Sequence, residues 1–364
     1  MLSLHNVIII MIDGGRYDRS INSDFYKKLK EKSSFFSQPI TYAPHTIAAM
    51  HAVFSGCYGI RTGTDSYWST YRFKKNQFKT ITEYLHDQNY YTSADIVSEI
   101  VIPKQGFDEF QIHDEEKDDL TLRHLELIEK TYANNKNKNF FLYLQFSDIH
   151  TGISNEVLQV YDNFSEEYFQ NKKLNKKRYD ELFKKSEFYL DKILEKINSL
   201  GLEKNSVILV MSDHGISVGE KIGERAYGAF CYDYTLRTFA YFIIPGFSPL
   251  EISQQVRTVD FMPSILELLY IPLDKNYSEL DGESLLPLIK GQNVSENIAY
   301  SETGNPLEEK KPPKTPNTKS VRTSKWKLIV NEYDSSKELY DLENDPDENT
   351  NLIDTNLEIQ ETLW

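Results

Sequence analysis

Four segments of this chain carry side chains that can bind a metal ion or attack an ester. Asp13 follows the apolar run Val7–Ile12; Asp148 and His150 follow Phe140–Phe146; Asp213 and His214 follow Val207–Met211. A lone Asp beyond a strand more often serves a turn or a cap. Three such ends in one sheet can converge, because ligands of open α/β sheets bind beyond the carboxyl ends of the strands. Thr46 adds a hydroxyl near Pro44, at the expected start of an apolar helix. Free amide groups at a helix start favour an anion, and an adjacent metal would make the hydroxyl a nucleophile at neutral pH. Taken alone, Thr46 reads more readily as a plain N-cap than as a nucleophile.

The elements that must position these residues alternate between strand and helix. Val7–Ile12 is a β-branched run ended by Asp13-Gly14-Gly15, as in a buried parallel strand. Phe140–Phe146, Val207–Met211 and Phe239–Ile244 read as further strands. Helices are expected at Phe25–Lys32, Ala48–Phe54, Thr80–Gln88, Leu120–Tyr132, Lys176–Leu200 and Phe261–Tyr270. This order predicts an α/β fold, a mostly parallel sheet flanked by helices. Composition shifts near residue 296, which divides an α/β domain (1–296) from a C-terminal subdomain (297–364). In the subdomain Lys325–Val330 and Glu338–Asp341 read as two antiparallel strands, and Pro306–Ser320 as a loop and candidate lid. The acidic run Asp114–Asp119 reads as a solvated face.

A chain of 364 residues, 40% hydrophobic, can bury a sizeable core. Its formal charge of -14 argues against a general nucleic-acid or anionic-membrane binder. No apolar run is long enough to span a bilayer and none reads as a signal peptide, so the expected location is cytoplasmic. Cys57 and Cys231 form no metal-knuckle spacing and read as buried thiols.

In order and spacing the motifs resemble the sulfatase-like branch of the alkaline phosphatase superfamily. Ile12-Asp13-Gly14-Gly15-Arg16-Tyr17-Asp18 resembles its first metal segment, and Ala43 to Met50 with Phe54-Ser55-Gly56 its nucleophile segment. Phe146 to His150 is similar to the D-x-H segment, and Ser212-Asp213-His214-Gly215 with Gly219-Glu220 to the second metal segment. Tyr232 to Arg237, Asp260 to Pro263, Asp281 to Leu285 and Glu338 to Pro346 resemble later signatures.

The departures matter for the chemistry. The family's sulfatases oxidise a Cys or Ser to formylglycine in a C/S-x-P-S/A-R context. Here Thr46 stands at that place, Ala48 replaces the Pro and Met50 the Arg. A threonine carries a methyl on Cβ and cannot give the aldehyde. The resemblance then implies a phosphodiesterase or phosphoglycerol-transferase type of chemistry, with Thr46 as nucleophile and His150 assisting the leaving group or contacting substrate. Lys221 or Arg225 would replace the lost cation. His214 is the last histidine, so the two-metal pattern of some members, which takes a later histidine, is absent. One divalent ion is expected on Asp13, Thr46, Asp213 and His214, with Mn²⁺ or Zn²⁺ first and Mg²⁺ or Ca²⁺ also compatible. The expected partner is an anionic ester, on a glycan or a lipid-derived head group. The alternatives are a sulfatase working without formylglycine and a non-catalytic scaffold that kept the fold.

Overall fold

The computed structural model describes residues 5–66, 69–154, 170–221, 226–304 and 315–363. Its strands are β1 (Asn6–Ile12), β2 (Ser34–Phe36), β3 (Pro39–Ile40), β4 (Tyr91–Ile96), β5 (Glu109–Ile112), β6 (Phe140–Phe146) and β7 (Ser206–Ser212). They continue with β8 (Ala240–Ile243), β9 (Leu250–Ile252), β10 (Val256–Arg257), β11 (Ala299–Thr303), β12 (Thr318–Arg322), β13 (Trp326–Asn331) and β14 (Ser336–Asp341). Eight of them form the main sheet, in the order β5-β4-β6-β1-β7-β8-β2-β9.

The strands β5, β4, β6, β1 and β7 run parallel, so their carboxyl ends share one edge. Register fixes the edge closely: Ile12 lies opposite both Phe146 and Ser212. Every residue of β1, β6 and β7 is buried, as continuous apolar runs covered on both faces require. Each such Val, Ile, Leu or Phe contributes about 1.5–3 kcal/mol relative to exposure. The exception to the parallel pattern is β8, which runs antiparallel to β7 and β2.

Alternation along the strands feeds two cores. Val7, Ile9 and Met11 join the Thr46–Ser55 and Phe261–Leu268 helices on one face. Ile8, Ile10 and Ile12 join the Lys172–Ser199 and Leu120–Asn134 helices on the other. The Ile81–Asp87 helix starts with a capping box between Thr80 and Glu83. The expected α/β architecture is therefore found, with helix and strand ends moved by a few residues. The C-terminal part is a four-stranded antiparallel sheet, β11-β12-β13-β14, where two strands were expected. Of the Pro306–Ser320 loop, residues 306–314 lie outside the described residues. Thr318 to Ser320 belong to β12, because their backbone pairs with Thr303 to Ser301 and with Asn331 to Ile329.

Candidate metal centre and nucleophile

The parallel register delivers Asp13 and Asp213 to adjacent positions just beyond β1 and β7, and the two carboxylates are tied together through backbone. The amides of Gly14 and His214 both donate to Asp213 Oδ1, at 3.1 and 2.8 Å. Gly14 has φ +71°, and a Cβ there would lie 2.5 Å from Ile216 Cδ1, so the turn requires glycine. Behind it Tyr179, on the long Lys172–Ser199 helix, accepts from the Arg16 amide and donates to the Gly14 carbonyl.

Asp13, Asp213 and His214 offer ligand atoms within 4.8 Å of one another, all buried. His214 Nδ1 lies 2.8 Å from the Gly215 carbonyl. That carbonyl can only accept, so Nδ1 carries the proton and a neutral ring turns the Nε2 lone pair inward. Nε2 sits 3.7 Å from Asp13 Oδ1 and 3.4 Å from Asp213 Oδ2. Asp213 Oδ2 is buried without a hydrogen bond. Thr46 Oγ1 faces the same point, 3.3 Å from His214 Nε2 and 3.4 Å from each Asp13 oxygen. These distances are long for O–H···O bonds. Acceptors facing each other across such gaps suit groups arranged around a shared cation, and the oxygen-rich donor set with one imidazole fits a divalent metal. Without one, burial and then the neighbouring Asp13 charge push Asp213 up to about 6, against the pull of His214.

Thr46 is the first residue of the Thr46–Ser55 helix, and His45 occupies the N-cap position. The plain N-cap reading of Thr46 is thus set aside: its hydroxyl turns to the carboxylates. His45 and His51, which flank the start of this segment, are both buried. Burial, then the neighbouring His214 ring, lower His45 to about 3. The Met50 side chain belongs to the hydrophobic core, not to an anion pocket.

His150 lies on the Asp148–Ile153 helix, with Nε2 2.9 Å from Tyr227 Oη. The Tyr227 ring stands 5.7 Å from the His214 ring, which links His150 to the cluster. Glu115 Oε2 faces His150 Nδ1 at 3.6 Å. Burial alone would lower His150, but Glu115, Asp13 and Asp213 together raise it to about 9. Asp148 sits in the first turn of that helix, and burial raises its carboxyl above the ordinary value. Lys221 points its amine at the Glu348 carbonyl, over the rings of Tyr232 and Tyr340 at 5.0 and 5.7 Å. Arg225 lies outside the described residues.

Several contributors escaped the sequence reading. Gln145 donates to Asp13 Oδ2 at 2.8 Å and accepts from the Val97 amide. Its signal was available: a lone amide in the apolar strand Phe140–Phe146. Glu115 was hidden in the acidic run read as a solvated face, of which it is the member turned to His150 and Thr151. Tyr227 stood among many aromatic residues with no spacing to mark it.

Comparison with known families settles the lineage of this arrangement. The sulfatase family model matches residues 5–271. The chain belongs to the sulfatase family. A second model, described as N-sulphoglucosamine sulphohydrolase, C-terminal, matches residues 228–364. The chain is 28% identical over 180 residues to arylsulfatase K of Bos taurus, which covers 45% of this chain and 30% of the relative. The match therefore spans less than a third of that curated relative's length. Among solved structures, one in complex with its substrate D-glucosamine-2-N,6-O-disulfate has a TM-score of 0.75 at 15% identity, covering 99% of this chain and 96% of the other. A phosphonate monoester hydrolase from Silicibacter pomeroyi has a TM-score of 0.74 at 14% identity, covering 98% and 92%. At these identities the two structures establish the fold.

Proposed function

We propose that this sulfatase-family chain is a metal-dependent hydrolase or transferase that attacks a phosphate-type ester, a phosphodiester first, through Thr46. The observation that carries the proposal is the Thr46 hydroxyl facing Asp13, Asp213 and His214 at the start of a helix. Asp13, Asp213 and His214, with Thr46, would hold the ion; when bound it supplies positive charge that favours the ionised hydroxyl. Thr46 Oγ1 forms a bond to phosphorus as the ester oxygen departs, and His150 gives that oxygen its proton. Glu115 Oε2, facing His150 Nδ1 at 3.6 Å, favours the protonated ring for this task. Water, or an acceptor alcohol, then displaces Thr46 from the covalent ester. The first gives a hydrolase and the second a transferase. The substrate in this reading is an anionic ester carried on a glycan or a lipid-derived head group.

A second reading, sulfate-ester hydrolysis without formylglycine, is favoured by the names of the relatives and by the disulfated sugar bound to one structural neighbour. It uses the same residues, with sulfur in place of phosphorus. Purified chain loaded with Mn²⁺, Zn²⁺, Mg²⁺ or Ca²⁺ is to be offered nitrophenyl phosphodiester, phosphomonoester and sulfate esters. Preference for the phosphodiester supports the first reading, and preference for the sulfate supports the second. Full turnover after exhaustive chelation would overturn both.

A further inference from the structure

A second buried cluster of histidine and carboxylate sits on the same sheet edge. Asp95 is the penultimate residue of β4, His113 follows β5, and His124 projects from the Leu120–Asn134 helix; all three are buried. Like the first cluster, its ligand atoms lie within 4.8 Å of one another. The electrostatics differ. Here the carboxylate has its own cation, since Arg123 Nε donates to Asp95 Oδ2 at 2.6 Å. Asp95 Oδ1 meets His113 Nδ1 at 2.6 Å and His124 Nε2 at 3.4 Å. The remaining nitrogens are engaged as well: His113 Nε2 with Ser147 Oγ at 2.9 Å, His124 Nδ1 with Tyr189 Oη at 2.7 Å. A site with every nitrogen engaged and an arginine in place has no need of a metal.

An ionised carboxylate only accepts, so Asp95 fixes the proton of His113 on Nδ1. The His113 Nε2 lone pair is then free to receive the Ser147 hydroxyl. Ser147 is the N-cap residue of the Asp148–Ile153 helix, which carries His150. Two residues beyond His113 in the chain, Glu115 faces His150 Nδ1 and accepts from Thr151 Oγ1 at 2.7 Å. Asp95 thus acts through His113 on both segments that hold the His150 ring, the His113–Glu115 loop and the start of the helix.

We propose that Asp95 is a positioning residue for His150, acting through His113 on Ser147 and on the loop that presents Glu115. The proposal rests on the leaving-group role of His150. The neighbouring Gln145 makes a parallel link, from the Val97 amide beside Asp95 to Asp13.

The test uses the full chain with ¹⁵N-labelled histidine. Its ring signals are assigned by single His→Gln substitutions. The expected wild-type pattern has His113 protonated on Nδ1 and bare on Nε2. In Ser147→Ala and Asp95→Asn the His150 signals should move. Ser147→Ala leaves the Asp95 cluster whole and so serves if Asp95→Asn fails to fold. Kinetically, both variants should lower kcat about tenfold or more for esters with alkyl leaving groups, which need a proton. They should spare KM and the turnover of nitrophenyl esters. His150→Asn separates the two readings. If it spares alkyl esters, the leaving-group role fails. If it impairs them while Asp95→Asn and Ser147→Ala do not, the positioning role alone fails. Unmoved His150 signals in folded variants, or a second metal equivalent lost on Asp95→Asn, would overturn the proposal.

Discussion

At the residue scale the chemistry comes from a conflict left unresolved within the protein. Asp13 and Asp213 are buried side by side, and the one imidazole between them turns a lone pair inward. A carboxyl whose folded pKa is raised opposes folding: the folded state binds more protons than the unfolded one above its ordinary value of 3.8. For Asp213 that opposition grows as pH rises towards about 6 and is constant above it. The metal-free protein should therefore melt higher at pH 7.5 in Asp213→Asn than in wild type. Added Mn²⁺ should raise the melting temperature of the wild type and leave the variant nearly unmoved. Thermal melts with and without the ion check both. Sequence exposed this much of the site because ligand residues sit at strand ends, where type and position are both informative. It did not expose Gln145, Glu115 or Tyr227, whose roles depend on which way neighbouring segments face. Met50 illustrates the same limit: its place in the motif was legible, its burial in the core was not.

At the element scale the site depends on turns that admit no side chain and on strand edges that are tied together. A Cβ at Gly215 would lie 2.1 Å from the Tyr234 carbonyl oxygen, and backbone cannot yield as a flexible side chain does. Gly215→Ala should destabilise by about 1–3 kcal/mol, as overpacking does, and weaken metal binding by displacing His214. Urea unfolding and metal titration measure the two effects. Burial would raise Asp95, but hydrogen bonds from His113, His124 and Arg123 override it and hold its carboxyl below 3.8. Its contribution is present above pH 3.8 and is lost as pH falls towards the lower folded value. Asp95→Asn should cost about 1–3 kcal/mol at pH 7, and the gap from wild type should narrow on acidification. The long fully buried strands β1, β6 and β7 were readable because apolar runs have few other uses. Short ones such as β2 and β9, three residues each, gain their identity from partners distant in sequence.

At the scale of the whole molecule, the C-terminal sheet is fastened by buried charge to the Asp233–Leu236 helix, which lies between β7 and β8 in the chain. Lys327 on β13 reaches Asp233 Oδ1 at 2.6 Å and Glu348 Oε1 at 2.8 Å, while Arg322 on β12 holds Asp233 Oδ2 at 2.8 Å. Lys327→Met takes the paired cation from the buried Glu348, leaves Asp233 with Arg322, and should destabilise by about 3–5 kcal/mol. Urea unfolding followed by tryptophan fluorescence reports it, with Trp326 beside the substituted residue. Sequence indicated a C-terminal change of character but not this network, whose members lie far apart along the chain. The central claim concerns the hydroxyl at position 46, and one measurement meets it directly. Metal-loaded wild type, Thr46→Ser and Thr46→Ala are compared on the preferred nitrophenyl ester, with bound metal determined for each. The account predicts substantial turnover in Thr46→Ser and a loss of about a thousandfold or more in Thr46→Ala, with metal still bound. Turnover by metal-loaded Thr46→Ala at the wild-type rate would contradict it.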